Sequence, residues 1–429
     1  MQTYIFPQRS AWPSILQRPS IDHESLETTV DTILRDVKLN GDNAIKKYAA
    51  LFDGVAVENT LVAETEFAEA KSSVNEELKI AINLAKENIT LFHERQQTQP
   101  ELIETMPGVF CWRKNVAIEK VGLYIPGGSA PLFSTLLMLG IPARIAGSKE
   151  IIVCTPSDKN GKINPVILYV ADLLGLKKVY KIGGVQAIGA MAYGTETVPQ
   201  VNKIFGPGNQ YVTCAKQLIN KQGIAIDMPA GPSEVAVYAD ETARPAFVAA
   251  DLLSQAEHGA DSQVLLVAKT EAFIEVVKQA IYSQLQHLER KNIAEKALQN
   301  SSFLVMKDTN EAFELLNEYA PEHLIIASDD AEALAGLVVN AGSVFIGHYS
   351  PESVGDYASG TNHTLPTNSF AKAYSGVSLD SFVKKITFQQ LTKDGLVNIG
   401  NAVEQMATAE GLQAHKEAVS IRLNEILKM

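Results

Sequence analysis

Cysteine is scarce in this chain: its 429 residues hold only Cys111, Cys154 and Cys214. An odd, widely spaced set builds neither a disulfide framework nor a CxxC metal or redox pair, and it suits the reducing cytoplasm. Long apolar runs are missing as well. No stretch reaches the ~18 residues of a spanning helix, and the opening Met1–Pro7 lacks the charged and apolar regions of a signal peptide, so neither a membrane nor export is expected. Positive charge is short too: 37 Lys and Arg against 49 Asp and Glu leave a formal net charge of −12. Nucleic acids and anionic membranes, which need clustered cations, are thereby excluded as partners. No GxGxxG and no Walker GxxxxGK(S/T) occurs, which removes the two commonest nucleotide fingerprints. What remains, 46% apolar and 20% charged residues, is ordinary globular composition, long enough for roughly two to four domains and suited to small-molecule ligands.

Residues 24–95 read as helices, with Val30, Ile33, Leu34 and Val37 at helical spacing, then Phe67, Ala70, Val74, Leu78, Ala81, Ile82, Ala85 and Ile89. From about Val116 short β-rich runs alternate with helical ones. Strands are expected at Lys120–Ile125, Ile151–Thr155, Val179–Ile182, Lys203–Phe205 and Glu234–Ala239, then at Gln263–Ala268, Phe303–Val305, Leu324–Ala327 and Ser343–Ile346. Such alternation predicts an α/β fold with two open parallel sheets joined by right-handed crossovers. The breakers in Met228–Ser233 suggest a boundary, and the polar, Gly- and Ser-rich stretch from Gly347 to about Asp380 is long enough to be functional. The chain ends in helix, with Leu412, Val419, Leu423 and Ile426 on one face.

Three glycine turns follow strands: Gly127-Gly128, Gly183-Gly184 and Gly206-Pro207-Gly208. Strand C-termini of this kind are where open α/β sheets present backbone N–H groups to anions, although glycines also simply permit tight turns. Tyr124, Gln186 and Asn209 stand at these turns, either as donors to a ribose or phosphate or as surface polar residues. Four further segments, Ser254–His258, Ala320–His323, Gly355–His363 and Ala409–His415, contain four of the eight histidines, each with a carboxylate close by. Clustered titratable groups are the usual mark of chemistry. Gln255 and His258, three apart at a helix end, form either a ligand pair or a helix cap. With Asp356 and His415 they would make an N/O set for zinc or a similar divalent ion. Asp356 reads alternatively as an Asx-turn and His415 as a core histidine. Glu322 and His323, at the entrance of a buried strand, read as a water activator and a general base or as a solvated pair.

The segments Leu123–Thr135, Phe205–Asn209, Asp227–Glu234, Asp251–Gly259, Ala320–Leu324 and Gly355–His363 together resemble the histidinol dehydrogenase family, and the likeness runs over roughly residues 25–425. The resemblance implies two Rossmann-like open sheets with a helical N-terminal segment and a C-terminal helical tail. The expected division is an arm over 1–23, a first α/β domain of 24–119 with 234–380, a second over 120–233 and a tail over 381–429. It also implies oxidation of L-histidinol through the aldehyde to L-histidine, with two NAD reduced in turn and one zinc ion per subunit. Carried over by position, Gln255, His258, Asp356 and His415 are implied zinc ligands, and Glu322 and His323 the catalytic pair. Ser233, Glu410 and His363 fall, with these, at the substrate, and Tyr124, Gln186 and Asn209 at NAD. A homodimer is implied in which the tail crosses to the partner, so that Glu410 and His415 complete the other subunit's site.

Overall fold

The computed structural model describes residues 1–19, 23–56, 58–127, 131–229 and 231–428; Gly128 of the first glycine turn lies outside the described residues. The chain divides into two compact units, 1–96 with 118–382, and 97–117 with 383–429.

The first unit holds two parallel sheets. One runs, edge to edge, through Gln2–Ile5, Ser302–Val305, Gln263–Ala268, Glu234–Ala239, His323–Ala327 and Ser343–Ile346. The other runs through Val179–Lys181, Glu150–Thr155, Lys120–Tyr124, Lys203–Phe205 and Ala225–Ile226. Leaving Gln2–Ile5 aside, the first strand in sequence of each, Glu234–Ala239 or Lys120–Tyr124, lies centrally, two successors extend one way and two the other. That is the doubly wound order with a switch point beside the first strand. The larger sheet carries Gln2–Ile5 as an added edge strand, which the sequence pattern of the arm does not announce.

Glu234–Ala239, Gln263–Ala268 and His323–Ala327 are buried at every position, as strands covered on both faces must be. Val235 and Val237 enter one core with Val248, Leu252 and Ile274; Ala236 and Tyr238 enter another with Phe313, Leu316 and Trp12. The N-terminal helices pack chiefly on the smaller sheet's half, and the helix Glu76–Glu94 also meets the later segment, where Asn88 donates to the Ala358 carbonyl at 2.9 Å. Val30, Ile33, Leu34 and Val37 of His23–Tyr48 lie against Ile182, Val185 and Ile188, while Phe67, Ala70, Ile82 and Ile89 lie against Leu136, Ile167 and Leu168. Their apolar stripes are complementary to the helices Phe133–Ala146, Pro165–Leu173 and Gly184–Tyr193, which are themselves apolar nearly all round.

The second unit is an antiparallel sheet, Val383–Leu391, Val109–Ala117 and Ile103–Met106, with the helices Lys393–Ala409 and Gln413–Ile426. The stretch 381–429 thus opens on a nine-residue strand before turning helical. Cys111 sits half-buried on this sheet, whereas Cys154 is fully buried and its thiol is pushed well up by that burial. The segment after Gly347 is more ordered than its composition suggests, with a short helix, Glu352–Tyr357, near its start.

Candidate active site

Glu234 and His323 open neighbouring strands, in a register that sets His323 opposite Val235, so both lie at the amino edge of the six-stranded sheet. The helix Pro245–Ala256 returns from the far edge and brings Gln255 in its last turn. Ala320, with φ of +50°, caps the helix Thr309–Tyr319 in the left-handed conformation, and Pro321 stops it, so the chain turns sharply into Glu322 and His323.

Gln255, Glu322, His323 and Glu352 are all buried. Glu322 Oε2 accepts from the Glu234 N–H at 2.9 Å. His323 Nδ1 lies 3.1 Å from the Glu234 carbonyl oxygen, 3.6 Å from Glu322 Oε2 and 4.0 Å from Glu352 Oε2. Because a carbonyl only accepts, that bond places a proton on Nδ1 and turns Nε2 outward. His323 Nε2 is 3.4 Å from Asp356 Oδ1, an electrostatic contact rather than a formed hydrogen bond. Gln255 donates from Nε2 to the Glu234 carbonyl and to Glu322 Oε2, each at 3.3 Å. Four buried atoms here have no hydrogen-bond partner among the described residues: Gln255 Oε1, His323 Nε2, Glu352 Oε2 and Asp356 Oδ1. Folded proteins leave few such atoms, so their concentration at one place marks a seat for something polar.

The charges follow from burial among carboxylates. Desolvation pushes Glu322 up to about 8 and Glu352 up to about 7, with His323 opposing in both cases. Burial would lower the His323 imidazole, but Glu322, Asp356 and Glu352 outweigh it and push it up to about 10. Burial also pulls Asp356 upward, yet His323, His363 and His258 hold it below the usual carboxylate range.

The structure thus brings together Gln255, Glu322, His323 and Asp356. His363 is half-buried and touches Thr135 Oγ1 at 3.2 Å; desolvation lowers its pKa and Asp356 opposes this. His258 follows the end of its helix and remains accessible, though enough protein surrounds the ring for desolvation to lower its pKa, again against Asp356. The capping reading of the Gln255–His258 pair does not describe Gln255, whose amide bonds across the sheet edge. Asp356 lies inside Glu352–Tyr357, so it forms no Asx-turn. Ser233, half-buried, precedes Glu234 at the same edge and accepts from Gln263 N–H through its carbonyl. Glu410 and His415 belong to the second unit, where both are exposed; His415 is therefore no core residue.

A cavity of about 1170 Å³ opens at the carboxyl edge of the five-stranded sheet, lined by Tyr124, Gly127, Gly184, Gln186 and Asn209 among others. Tyr124 and Gln186 are buried rather than surface residues. The Tyr124 hydroxyl accepts from Gly184 N–H at 3.1 Å, and Gln186 Oε1 has no partner among the described residues. Asn209 is exposed and caps the helix Gln210–Asn220, accepting from the Tyr211 and Val212 N–H groups. The cavity lies where the doubly wound order reverses.

The model of the family described as Histidinol dehydrogenase matches residues 16–423. The chain belongs to the histidinol dehydrogenase family. It is 58% identical over 428 residues to the histidinol dehydrogenase of Bacteroides fragilis, covering 100% of both chains, and 56% identical to that of Bacteroides thetaiotaomicron, covering 99% of this chain and 100% of the other. The crystal structure of histidinol dehydrogenase from Elizabethkingia anophelis superposes with a TM-score of 0.97 at 54% identity, covering 99% of this chain and 98% of that one. As a histidinol dehydrogenase family member the protein is an oxidoreductase.

Within this family member two residues join the site without a sequence signal. Glu352, reached by Ser254 Oγ at 2.7 Å, is as buried as Gln255. Arg18 reaches Glu234 from the N-terminal arm. Among the described residues no three His, Cys, Asp or Glu side chains are arranged to hold a metal ion. The donors present, an amide oxygen of Gln255, a carboxylate oxygen of Asp356 and an imidazole of His258, nevertheless suit N/O coordination, and the first two lack any other partner.

Proposed function

We propose that the protein oxidises L-histidinol through L-histidinaldehyde to L-histidine, the last step of histidine biosynthesis, reducing two NAD in turn with one zinc ion per subunit. The observation that carries this reading is the buried Glu322–His323 pair set among the unpartnered oxygens of Gln255 and Asp356. Gln255, His258 and Asp356 would hold the metal, joined by His415 of a second subunit in a homodimer. When bound, the ion would anchor the substrate's nitrogens and offset the surrounding carboxylate charge. NAD would accept hydride from the cavity of the five-stranded sheet, held by Tyr124, Gln186 and Asn209, where the unpartnered Gln186 Oε1 suits a ribose hydroxyl.

The protein's own groups then divide the work. With the charge of the carboxylates that raise it so offset, His323 would stand neutral, its Nδ1 proton fixed on the Glu234 carbonyl, and take the substrate hydroxyl proton at Nε2 as hydride departs. Glu322, its Oε2 held by the Glu234 N–H, draws a proton from water in its carboxylate form to hydrate the aldehyde, and His323 serves again in the second oxidation. Ser233, His363 and, from the second subunit, Glu410 border the substrate. The free thiols and the biosynthetic reaction favour the cytoplasm.

The test follows nicotinamide reduction by histidinol, then repeats it after chelation and after adding zinc back. Two NADH per histidinol, loss on chelation and recovery with zinc are expected. Absence of NAD reduction by histidinol in the metal-loaded protein would end the proposal.

A further inference from the structure

The three side chains at the sheet edge share one anchor, the peptide groups of Glu234. Its N–H holds Glu322 Oε2, and its carbonyl holds His323 Nδ1 and Gln255 Nε2. Where that peptide lies decides which way His323 Nε2 points and how far Glu322 stands from it. The Glu234 side chain extends the other way and is almost wholly buried. Arg18 grips it with two bonds, Nε to Oε1 at 2.5 Å and a terminal nitrogen to Oε2 at 2.8 Å. The Asn368 N–H adds a third at 2.8 Å.

The same guanidinium donates to the Tyr319 carbonyl and to Ser369 Oγ, both at 2.7 Å, and lies 4.0 Å over the Tyr319 ring. Tyr319 is fixed in turn, its hydroxyl donating to Gln263 Oε1 at 2.8 Å. Arg18 therefore ties three stretches: the strand start that anchors the site, the helix end that leads into Glu322 and His323, and the segment that follows His363. A planar fork can meet all these acceptors at once, and an ammonium cannot.

We propose that Arg18, in the N-terminal arm, is a positioning residue for the oxidation, acting on Glu322, His323 and Gln255 through Glu234. It touches no reacting atom, and its effect rests on the roles proposed above for Glu322 and His323. Displacing a catalytic group by an ångström or so costs up to ~100-fold in rate while substrate and cofactor contacts elsewhere survive. The expected signature is a fall in kcat with little change in KM for NAD.

The experiment compares four full-length proteins loaded with zinc: wild type, Arg18→Ala, His323→Asn and the double variant. Arg18→Ala should lower kcat by about 10- to 100-fold and leave KM for NAD within about two-fold. In the His323→Asn background the same change should cost less than about three-fold, because the group it positions is gone. Millimolar guanidinium should restore part of the Arg18→Ala activity, and Arg18→Lys should fall between Ala and wild type. Equal losses in both backgrounds, or full activity in Arg18→Lys, would overturn the proposal. A His323→Asn protein with full turnover would instead remove the reading of the base, a separate outcome. If Arg18→Ala does not fold, Arg18→Lys and Glu234→Gln, which keep the volume, make the same comparison.

Discussion

Asp53 lines the large cavity and is partly buried, and desolvation holds its carboxyl above the usual carboxylate range. A raised folded-state pKa means that the native state binds the proton more tightly than the unfolded chain, whose value is about 3.9. Below that value the group's protonated form favours folding fully; as pH rises through the folded value this contribution is lost. Asp53→Asn, which never ionises, should therefore have a higher Tm than wild type at pH 8, with the gain shrinking as pH falls and vanishing near pH 4. Thermal scans across that range check it, and a variant less stable than wild type at pH 8 would refute the desolvation account. The residues with rare chemistry were readable before any fold was known: His323, Asp356 and Gln255 stand in short segments dense in ligand-type side chains. Glu352 was not, because a Glu directly after Pro351 at a helix start looks like a solvated acid placed for the helix dipole. Arg18 was not either, since its partner Glu234 is 216 residues away and only the sheet brings them together.

Nine of the eleven parallel strands among the described residues were legible almost to the residue, Gln2–Ile5 and Ala225–Ile226 being the exceptions, since continuous apolar runs bounded by breakers leave little choice of limits; Glu234–Ala239 and Gln263–Ala268 begin and end as expected. The antiparallel ribbon was not, for Val383–Leu391 is exposed along most of its length and carries Lys384, Lys385, Gln389 and Gln390. Its pattern shows no buried face, and what specifies it is the pairing with Val109–Ala117 far back in the chain. The glycine turn after Lys203–Phe205 shows how packing supports a loop beside the cavity. Gly206, at φ of +129°, leaves no room for a side chain against the Tyr124 carbonyl. Its N–H donates to Asp227 Oδ2 and its carbonyl accepts from Lys216 Nζ, both at 2.8 Å, while Lys216 and Asp227 pair with each other in near-complete burial. Lys216→Met leaves Asp227 buried and unpaired, a change that costs about 3–5 kcal/mol. Lys216→Met with Asp227→Asn removes the stranded charge and should recover much of that loss. Urea unfolding of the two variants decides it, and equal midpoints for both would show that the turn, not the charge, dominates.

The protein as a whole is unevenly finished. The first unit has its cores on both faces of two sheets, whereas the second, 97–117 with 383–429, buries little: the helix Gln413–Ile426 has no buried residue, and Lys393–Ala409 buries only Gly395, Gly400 and Ala407. Leu423 packs at Gly400, but Ile386, Phe388, Met406, Leu412 and Ile421 are exposed. So small a unit rarely stands on a core this thin, and association with a second copy is the usual remedy. A homodimer whose sites take His415 from the other subunit makes a quantitative demand. Each of two single variants, Glu322→Gln and His415→Ala, should be nearly inactive alone. Coexpressed in equal amounts, half the dimers are mixed, and each mixed dimer contains one site with both groups intact and one with neither. About a quarter of wild-type turnover should then return. If each site were built from one chain, every site in the mixture would lack one group and activity would stay at the level of the parents.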